Sequence, residues 1–422
     1  MKQRLRLPVT QLEIGMHVVE LDRPWLETPF LFQGFTLENQ ADIKAVQQYC
    51  QYVYVEVAQE RIASTVAVKP TRAPTPKSQE ESRGFFGLFK KRSATLEVQV
   101  PVEQELPKAV QAHEKTSKLV RSLMDDIRFG SLINTTALKE QVNECVESII
   151  RNPDAMLWLT QLKDKDENSA SHALNVCILS VVFGRYLGLP KDELEKLGLC
   201  GLLHDVGKTQ IPTHILRKPG PLNAEEMAEM KKHTIHGRNI LMATSDMYYG
   251  AVDVAYTHHE RMDGSGYPRG LTGSQISPYA RMLAIIDAYD DLISPQVYRK
   301  EHTAFEALKT INKDKGVKFD EQLVKHFVAM IGVFPVGSIV ELSTGEVGIV
   351  VNSNRKHLTL PRVLILLDDQ KFSVRERILD LAEANVGANA GTEIKIVRIL
   401  RNGDYGIDAQ TLQKRGLQLK VV

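Results

Sequence analysis

The most constraining feature of this chain is a change in the spacing of its apolar residues, which occurs twice. From about Glu103 to Met330, apolar residues recur every three or four positions, the spacing of helices that bury one face. On either side, short segments alternate apolar and polar residues between glycines and prolines, which is typical of strands and turns. The sequence therefore predicts a central all-α region between two regions that contain strands.

Length and composition support a multidomain protein. The chain has 422 residues, which is more than one typical domain contains. Of these residues, 43% are hydrophobic and 25% are charged, as in ordinary globular proteins. A proline-rich polar stretch between the first two regions has the composition of a linker. The predicted divisions are a small α+β domain at 1–65, a flexible linker at 66–100, an all-α helical bundle at 101–333 and a β-rich C-terminal extension at 334–422.

Charge and cysteine usage exclude several classes of protein. Lysine and arginine number 53 and aspartate and glutamate 52, a net charge of +1, so no DNA partner is expected. The four cysteines lack the spacing of a disulfide framework or a thiolate zinc site, which favours a reducing compartment. The N-terminus lacks the apolar core of a signal peptide, and no apolar stretch approaches the roughly 18 residues of a membrane span. We expect a soluble, cytoplasmic protein.

Candidate metal ligands are concentrated in the helical region. Seven of the 12 histidines lie between His172 and His259. His204 and Asp205 stand together at the end of an apolar helix, and burying such groups is costly unless they are paired or bind a metal. Any single histidine of this kind is more often a satisfied core residue, and His214 and His236 are left out of the set. The predicted ligands are His172, His204, Asp205, His233, His258, His259 and Asp287.

Five imidazoles with two carboxylates indicate transition-metal chemistry. This donor set suits iron or manganese, with zinc, nickel and cobalt as alternatives, rather than calcium or magnesium. Because seven ligands are too many for one tetrahedral ion, we expect two divalent ions. Such a pair can bridge and deprotonate a water and hold the oxygens of a phosphodiester. Lys208, one turn beyond His204, would then neutralise charge that grows on the phosphate or the leaving group.

Six segments, in their order and spacing, resemble the HD-GYP subgroup of the HD phosphohydrolases. They are HALNV, LLHDVGKTQIP, ILRKPGPL, KKHTIHG, HHERMDGSGYPRGL and ARMLAIIDAYDDLIS, and the fifth is the most specific. The resemblance covers about residues 165 to 330, and the first domain is similar to the small domain that often precedes this module in bacteria. It implies a helical bundle with a binuclear or trinuclear metal site that hydrolyses cyclic di-GMP to pGpG, to GMP or to both.

The resemblance also implies roles for individual residues. The metal ligands of the family fall on the same seven residues, with Asp205 as the bridging carboxylate, and its catalytic lysine falls on Lys208. The GYP loop supplies a glycine-punctuated approach to the substrate, with its tyrosine near the ligand. The residues expected to bind substrate are Gly266, Tyr267, Pro268, Arg269 and Arg299.

Two departures from the family pattern matter. Members with a third metal carry a glutamate four residues before the first histidine, and this chain has Asn168 there, which predicts a binuclear site. A phosphate-binding arginine of the family is replaced by Gln296, although Arg299 remains basic and Arg269 could compensate.

Three functions remain open from the sequence. The first is a cyclic di-GMP phosphodiesterase, which would bind cyclic di-GMP and pGpG. The second is a catalytically weak receptor or scaffold that binds the dinucleotide or a diguanylate cyclase with a GGDEF domain. A full ligand set disfavours this second function, whereas Gln296 keeps it open. The third is another HD-type nucleotide phosphohydrolase, which the HHERMDGSGYP loop disfavours.

Overall fold

The chain divides into two compact units, and each is described by itself. The structure, a computed structural model, assigns Met1–Gln79 to the first unit and Glu80–Val422 to the second. The residues that it describes are 3–22, 35–37, 40–57, 97–130, 133–160, 169–294, 302–354, 357, 359–386, 393–401 and 403–407. Most of the predicted linker lies outside these ranges, and the predicted domain boundaries remain predictions.

In its described residues, the first unit contains a four-stranded antiparallel sheet and one α-helix. Helix α1 is Gln40–Tyr49, and strands β1 to β4, which lie in the order β1-β4-β2-β3, are Gln3–Pro8, His17–Leu21, Phe35–Thr36 and Tyr52–Val57. Val53 and Val55 alternate with tyrosines along β4 and are fully buried in one core with Ile43 and Val46 of α1. The predicted small α+β domain is confirmed.

The second unit is built on a bundle of helices. Helices α2 to α13 are Val102–Arg128, Thr135–Arg151, Pro153–Thr160, Ser169–Tyr186, Lys191–Leu203, Thr213–Leu216, Ala224–Lys231, His233–Met242, Tyr249–Thr257, Pro278–Ile293, Ala304–Lys313 and Glu321–Ile331. Helix α5, Ser169–Tyr186, is buried on nearly every side, because almost all of its residues are apolar or small. It is the centre of the bundle, and the predicted all-α region is confirmed.

Two glycines allow the close packing that later positions the polar residues. A Cβ at Gly201 of α6 would lie 2.8 Å from the Cα of Cys177 in α5, so only glycine lets these helices approach so closely. A Cβ at Gly207 would lie 1.9 Å from the carbonyl oxygen of His233. The 3₁₀ turn Val206–Gln210 therefore lies directly against the start of α9.

A five-stranded antiparallel sheet completes the second unit. Its order is β8-β7-β6-β5-β9, a short helix α14 at Leu381–Ala384 follows β8, and strands β5 to β9 are Ile339–Leu342, Val347–Asn352, Arg362–Leu367, Ser373–Asp380 and Ile396–Leu400. Nearly every residue of β6 and β7 is buried, whereas the edge strand β8 is mostly exposed. The predicted β-rich extension is confirmed.

The sheet packs on the bundle through polar contacts at its β6 and β7 strands. The side-chain amide of Asn352 donates to a carboxylate oxygen of Asp154 in α4 at 2.7 Å, and Arg362 pairs with Glu103 of α2 at 2.8 Å. Within the described residues, no helix combines the length and the apolar character that crossing a bilayer requires.

Candidate metal centre

The predicted ligands stand at the ends of helices or on buried helical faces. His172 lies near the start of α5, and Asp287 lies in the middle of α11. His204 caps the C-terminus of α6 and is followed at once by Asp205. His233 begins α9 and His258 caps the C-terminus of α10, with His259 next to it. These helix ends face one interior point, although 115 positions separate the first ligand from the last.

The structure brings all seven predicted ligands together in two groups of four that share one residue. Within each group, one ligand atom from each residue lies within 4.8 Å of the others, so each group could hold a metal ion. The shared residue is Asp205. The groups are Asp205, His233, His258 and His259, and His172, His204, Asp205 and Asp287.

Hydrogen bonds fix the orientation of four of the five imidazoles. The Nδ1 atoms of His204, His233 and His258 contact the backbone oxygens of Gly201, Met230 and Val254 at 2.7, 2.8 and 3.0 Å. Because a carbonyl oxygen only accepts, Nδ1 carries the proton in each ring. Nε2 then faces the cluster, and in a neutral ring its lone pair can bind a metal.

His172 is oriented by a carboxylate instead of a carbonyl. Its Nδ1 lies 2.8 Å from a carboxylate oxygen of Asp290, while its Nε2 lies 3.0 Å from Asp287. Asp290 is fully buried and also accepts from the side-chain amide of Asn175 at 3.3 Å. A carboxylate behind a ligating histidine fixes the ring and raises its basicity. Asp290 was missed by the sequence analysis, although its position three residues after Asp287, one turn along α11, was a usable signal.

Two observations test whether the cluster suits a metal ion. Among the described residues, His204 Nε2 and Asp205 Oδ1 are buried and have no hydrogen-bond partner. The Nε2 atoms of His233 and His258 face each other at 3.4 Å, although both rings carry their proton on Nδ1. Unpaired buried acceptors and facing lone pairs are costly, and a cation between them removes the cost. The residues therefore fit transition-metal ions.

The pKa values of most of the candidate ligands keep them in the protonation state that binds a metal. Burial would raise the pKa of Asp205 and Asp287. Lys208 and neighbouring histidines hold the pKa of Asp205 well below the ordinary value, and histidines alone do so for Asp287. Burial lowers the pKa of His233 and His258, and lowers that of His259 to about 3. At neutral pH the two carboxylates are charged and these three imidazoles are neutral, as metal binding requires.

Two histidines behave differently because each lies against a carboxylate. Burial lowers the pKa of His172, but hydrogen bonds with Asp287 and Asp290 outweigh it and raise the pKa to about 10. Burial also lowers the pKa of His204, but the negative charge of Asp205 outweighs it and raises the pKa to about 9. At these two rings a proton competes with a metal ion.

Lys208 and the GYP loop lie beside the cluster. Lys208 pairs with Asp205, and although burial lowers its pKa, the carboxylates of Asp205 and Asp287 raise it, so the ammonium stays charged. The ring of Tyr267 lies 4.8 Å from that of His259, and Lys231 Nζ lies 5.0 Å from the Tyr267 ring. Burial raises the pKa of Tyr267, so its hydroxyl stays protonated.

The loop reaches this position through backbone contacts and one buried carboxylate. A Cβ at Gly266 would lie 2.4 Å from the nitrogen of Arg261, so this approach requires glycine. The carboxylate of Glu260 is buried and accepts from the backbone nitrogens of Arg269 and Leu271 at 2.7 and 2.9 Å. Glu260 was also missed, because a loop has no periodicity from which a buried position can be recognised.

The structure describes only some of the remaining residues that the sequence singled out. Pro268 follows Tyr267 in the loop, and the side chain of Arg269 is exposed. Arg299, Gln296 and Asn168 lie outside the described residues.

Two family models match this chain. A family model described as HD domain matches residues 157–323, and one described as Domain of unknown function (DUF3391) matches residues 4–138. The chain is 34% identical over 388 residues to a cyclic di-GMP phosphodiesterase of Pseudomonas aeruginosa, covering 90% of this chain and 89% of that protein. It is 35% identical over 256 residues to 3'3'-cGAMP-specific phosphodiesterase 2 of Vibrio cholerae, covering 59% and 46% of the two chains.

A solved structure was also found, an HDG"Y"P protein from Bdellovibrio bacteriovorus. It is 18% identical, with a TM-score of 0.45, and the match covers 77% of this chain and 98% of that chain. The helical fold and the histidine–aspartate cluster define an HD-domain protein with a candidate metal centre. Since a relative at 34% identity is matched over 89% of its length, the chain belongs to the HD-GYP family.

Proposed function

We propose that this protein is a metal-dependent cyclic di-GMP phosphodiesterase. The observation that carries the proposal is the pair of four-residue groups that share Asp205 in a buried interior. The Pseudomonas aeruginosa relative, named a cyclic di-GMP phosphodiesterase, supports the choice of substrate. We infer that the products are pGpG, GMP or both and that the protein acts in the cytoplasm.

The proposed centre holds two ions, iron or manganese, with zinc, nickel or cobalt as alternatives. The sharing of Asp205 supports its role as the bridging carboxylate. Asn168 in place of a glutamate supports two ions rather than three. Metal analysis of anaerobically purified protein should therefore find two ions per chain, and three would contradict the proposal. The proposed ligands are His172, His204, Asp205, His233, His258, His259 and Asp287.

The protein's own groups would perform the remaining chemistry. When bound, the ions supply Lewis-acid polarisation of the phosphodiester and lower the pKa of a water. The charged ammonium of Lys208, held by Asp205, would stabilise negative charge on the phosphate or on the leaving oxygen. Tyr267 beside His259 would contact the dinucleotide at the mouth of the cluster, and Gly266 permits the close approach of the backbone.

Phosphate binding away from the ions needs further cations. Arg269 and Arg299 are the cations proposed from the family pattern. Lys231 is a third candidate, because it is exposed and its ammonium lies 5.0 Å from the ring of Tyr267. Together they would offset the loss of the arginine at Gln296.

The deciding experiment is hydrolysis followed by product chromatography. Protein loaded with Mn²⁺ should convert cyclic di-GMP to pGpG or GMP, and Asp205→Ala should abolish this conversion. Asp126→Ala, an exposed position on α2, is the matched control and should keep full activity. Parallel reactions with 3'3'-cGAMP test the substrate of the Vibrio cholerae relative, and faster turnover of that substrate would contradict the proposed specificity.

Other results of the same experiments would indicate the two alternative functions. Protein that holds two ions and binds cyclic di-GMP without turnover would be a receptor or a scaffold for GGDEF-type cyclases. Release of products from guanosine polyphosphates instead would indicate another HD-type nucleotide phosphohydrolase.

A further inference from the structure

A partly open cavity lies between the helical bundle and the C-terminal sheet. This cavity has a volume of about 320 Å³ and is bounded by α4, α5, α11, α13 and the segment that leads into β5. Most of its lining is apolar. The apolar and aromatic side chains that define it are Leu157, Leu179, Val182, Tyr289, Ala329 and Phe334.

The cavity offers one unused hydrogen-bond donor. Tyr289 lines it and is 1% exposed, and its ring packs edge-on against Phe327 at 5.2 Å. Among the described residues, no group accepts a hydrogen bond from its hydroxyl. The hydroxyl is not among the fully buried atoms that lack a partner, so it borders the cavity, where it can donate to water or to a ligand that accepts a hydrogen bond.

The charges around the cavity select against ionised ligands. The described residues that line it include no lysine, arginine or histidine, so an anion would have no counter-charge there. Asp154 is the one carboxylate among them, and its oxygens already accept from the side-chain amide of Asn352 and from Ser353. A cation would therefore have to displace those contacts.

The cavity and the candidate metal centre share two helices. Tyr289 stands on α11 between Asp287, a proposed ligand, and Asp290, which orients His172. Leu179 and Val182 belong to α5, the helix that carries His172. Both helices that line the cavity on this side therefore also position donors of the cluster.

We propose that this cavity is a regulatory site for a neutral, largely apolar small molecule with one hydrogen-bond acceptor, and that its occupation tightens metal binding through α11 and α5. The volume suffices, because a dry cavity of about 150 Å³ already binds benzene. Filling the space immobilises Tyr289 and its helix, so an ion that binds afterwards loses less conformational freedom. The regulatory part of this proposal rests on the proposed metal centre, whereas the binding part does not.

Binding is tested with two fluorinated probes of similar size. The first, 4-fluoroacetophenone, carries a carbonyl acceptor, and the second, 4-fluorocumene, carries none. Titration of the full-length protein, followed by ¹⁹F NMR, should show saturable binding of both probes, with the ketone bound more tightly. Tyr289→Phe should remove this preference, a change of about 2- to 10-fold in the affinity for the ketone alone.

A cavity-filling variant and a matched control locate the binding. Ala329→Phe should abolish binding of both probes, because the added ring occupies the space. Ala384→Phe, the same change at an exposed position on α14, should leave binding unchanged. Equal binding by the protein with and without Ala329→Phe, or no saturable binding at all, would overturn the proposal.

The regulatory part is tested by measuring Mn²⁺ affinity from the electron paramagnetic resonance of unbound Mn²⁺. Saturating 4-fluoroacetophenone should tighten Mn²⁺ binding by about 5-fold or more, and the effect should vanish in Ala329→Phe. Unchanged Mn²⁺ affinity would overturn the regulatory role alone. A protein that binds no Mn²⁺ in either condition would contradict the proposed function and, with it, the regulatory role.

Discussion

The metal cluster and the GYP loop beside it are held in place in different ways. His204, His233 and His258 each contact a backbone oxygen three or four residues earlier in the chain. The segment 266–271 is held by the carboxylate of Glu260, which accepts from two backbone nitrogens. The rings are oriented by helix geometry, whereas the loop depends on one side chain in addition to a backbone contact between Tyr267 and His259.

This difference indicates which parts of the site a substitution can disturb. A backbone carbonyl survives any side-chain replacement at its position, so the orientation of those three rings is robust. The loop depends on a group that one substitution removes, and His172 shares this dependence because Asp290 orients it. Changes in the ligands should therefore affect metal content, whereas changes in the loop should affect substrate binding.

The largest effect is expected from removing a ligand itself. His258→Gln should lower the affinity for at least one ion by more than the roughly 10- to 100-fold that is typical for loss of an outer partner. Elemental analysis and Mn²⁺ titration measure the change. His214→Gln, at an exposed histidine outside the cluster, is the control and should bind both ions. Unchanged stoichiometry in His258→Gln would remove this residue from the centre.

Lys208 should separate catalysis from metal binding. Lys208→Ala removes the charge beside Asp205 but no ligand, so both ions should remain while turnover of cyclic di-GMP falls by about 10- to 1,000-fold. Steady-state kinetics at saturating Mn²⁺ test this expectation, with Lys313→Ala at an exposed helix end as the control. Full turnover would exclude Lys208 from the reaction.

Asp290 tests the one ring that is oriented by a side chain. Asp290→Asn keeps the size of the residue but loses the charged acceptor, so Mn²⁺ affinity should fall by about 10- to 100-fold. The exposed substitution Asp126→Asn should leave the affinity unchanged. If the Mn²⁺ affinity of Asp290→Asn equals that of the control, His172 needs no carboxylate behind it, and its orientation does not depend on this side chain.

The smallest effect is expected in the loop. Glu260→Gln loses the charge and one of two acceptors, which should weaken the anchoring by about 1.5–3 kcal/mol. We expect the KM for cyclic di-GMP to rise about 10-fold or more, in line with that energy, at an unchanged Mn²⁺ stoichiometry. Glu225→Gln, exposed in the first turn of α8, is the control. Loss of Mn²⁺ from Glu260→Gln would mean that this carboxylate also supports the ligands.

The gross architecture was readable from the sequence because local spacing determines it. Alternation in YVYVEV predicted a half-buried strand, and β4 is that strand at Tyr52–Val57. The helix expected in a small α+β domain at 1–65 is α1 at Gln40–Tyr49. Helical spacing in the central region likewise predicted a bundle, because the period of apolar residues decides which face each segment can bury.

The sequence by itself determined which side chains could bind metal. Imidazoles and carboxylates at the ends of apolar helices are costly to bury unless they are paired or bind a metal. Only the tertiary structure decided that the seven lie in two groups sharing Asp205 and that Asp290 orients His172. It also decided that Glu260 holds the loop and that Tyr289 lines a cavity. The physical reason is that distances between residues far apart in the chain depend on how helices pack. That packing turns on close approaches such as those at Gly201 and Gly207, which local spacing does not encode.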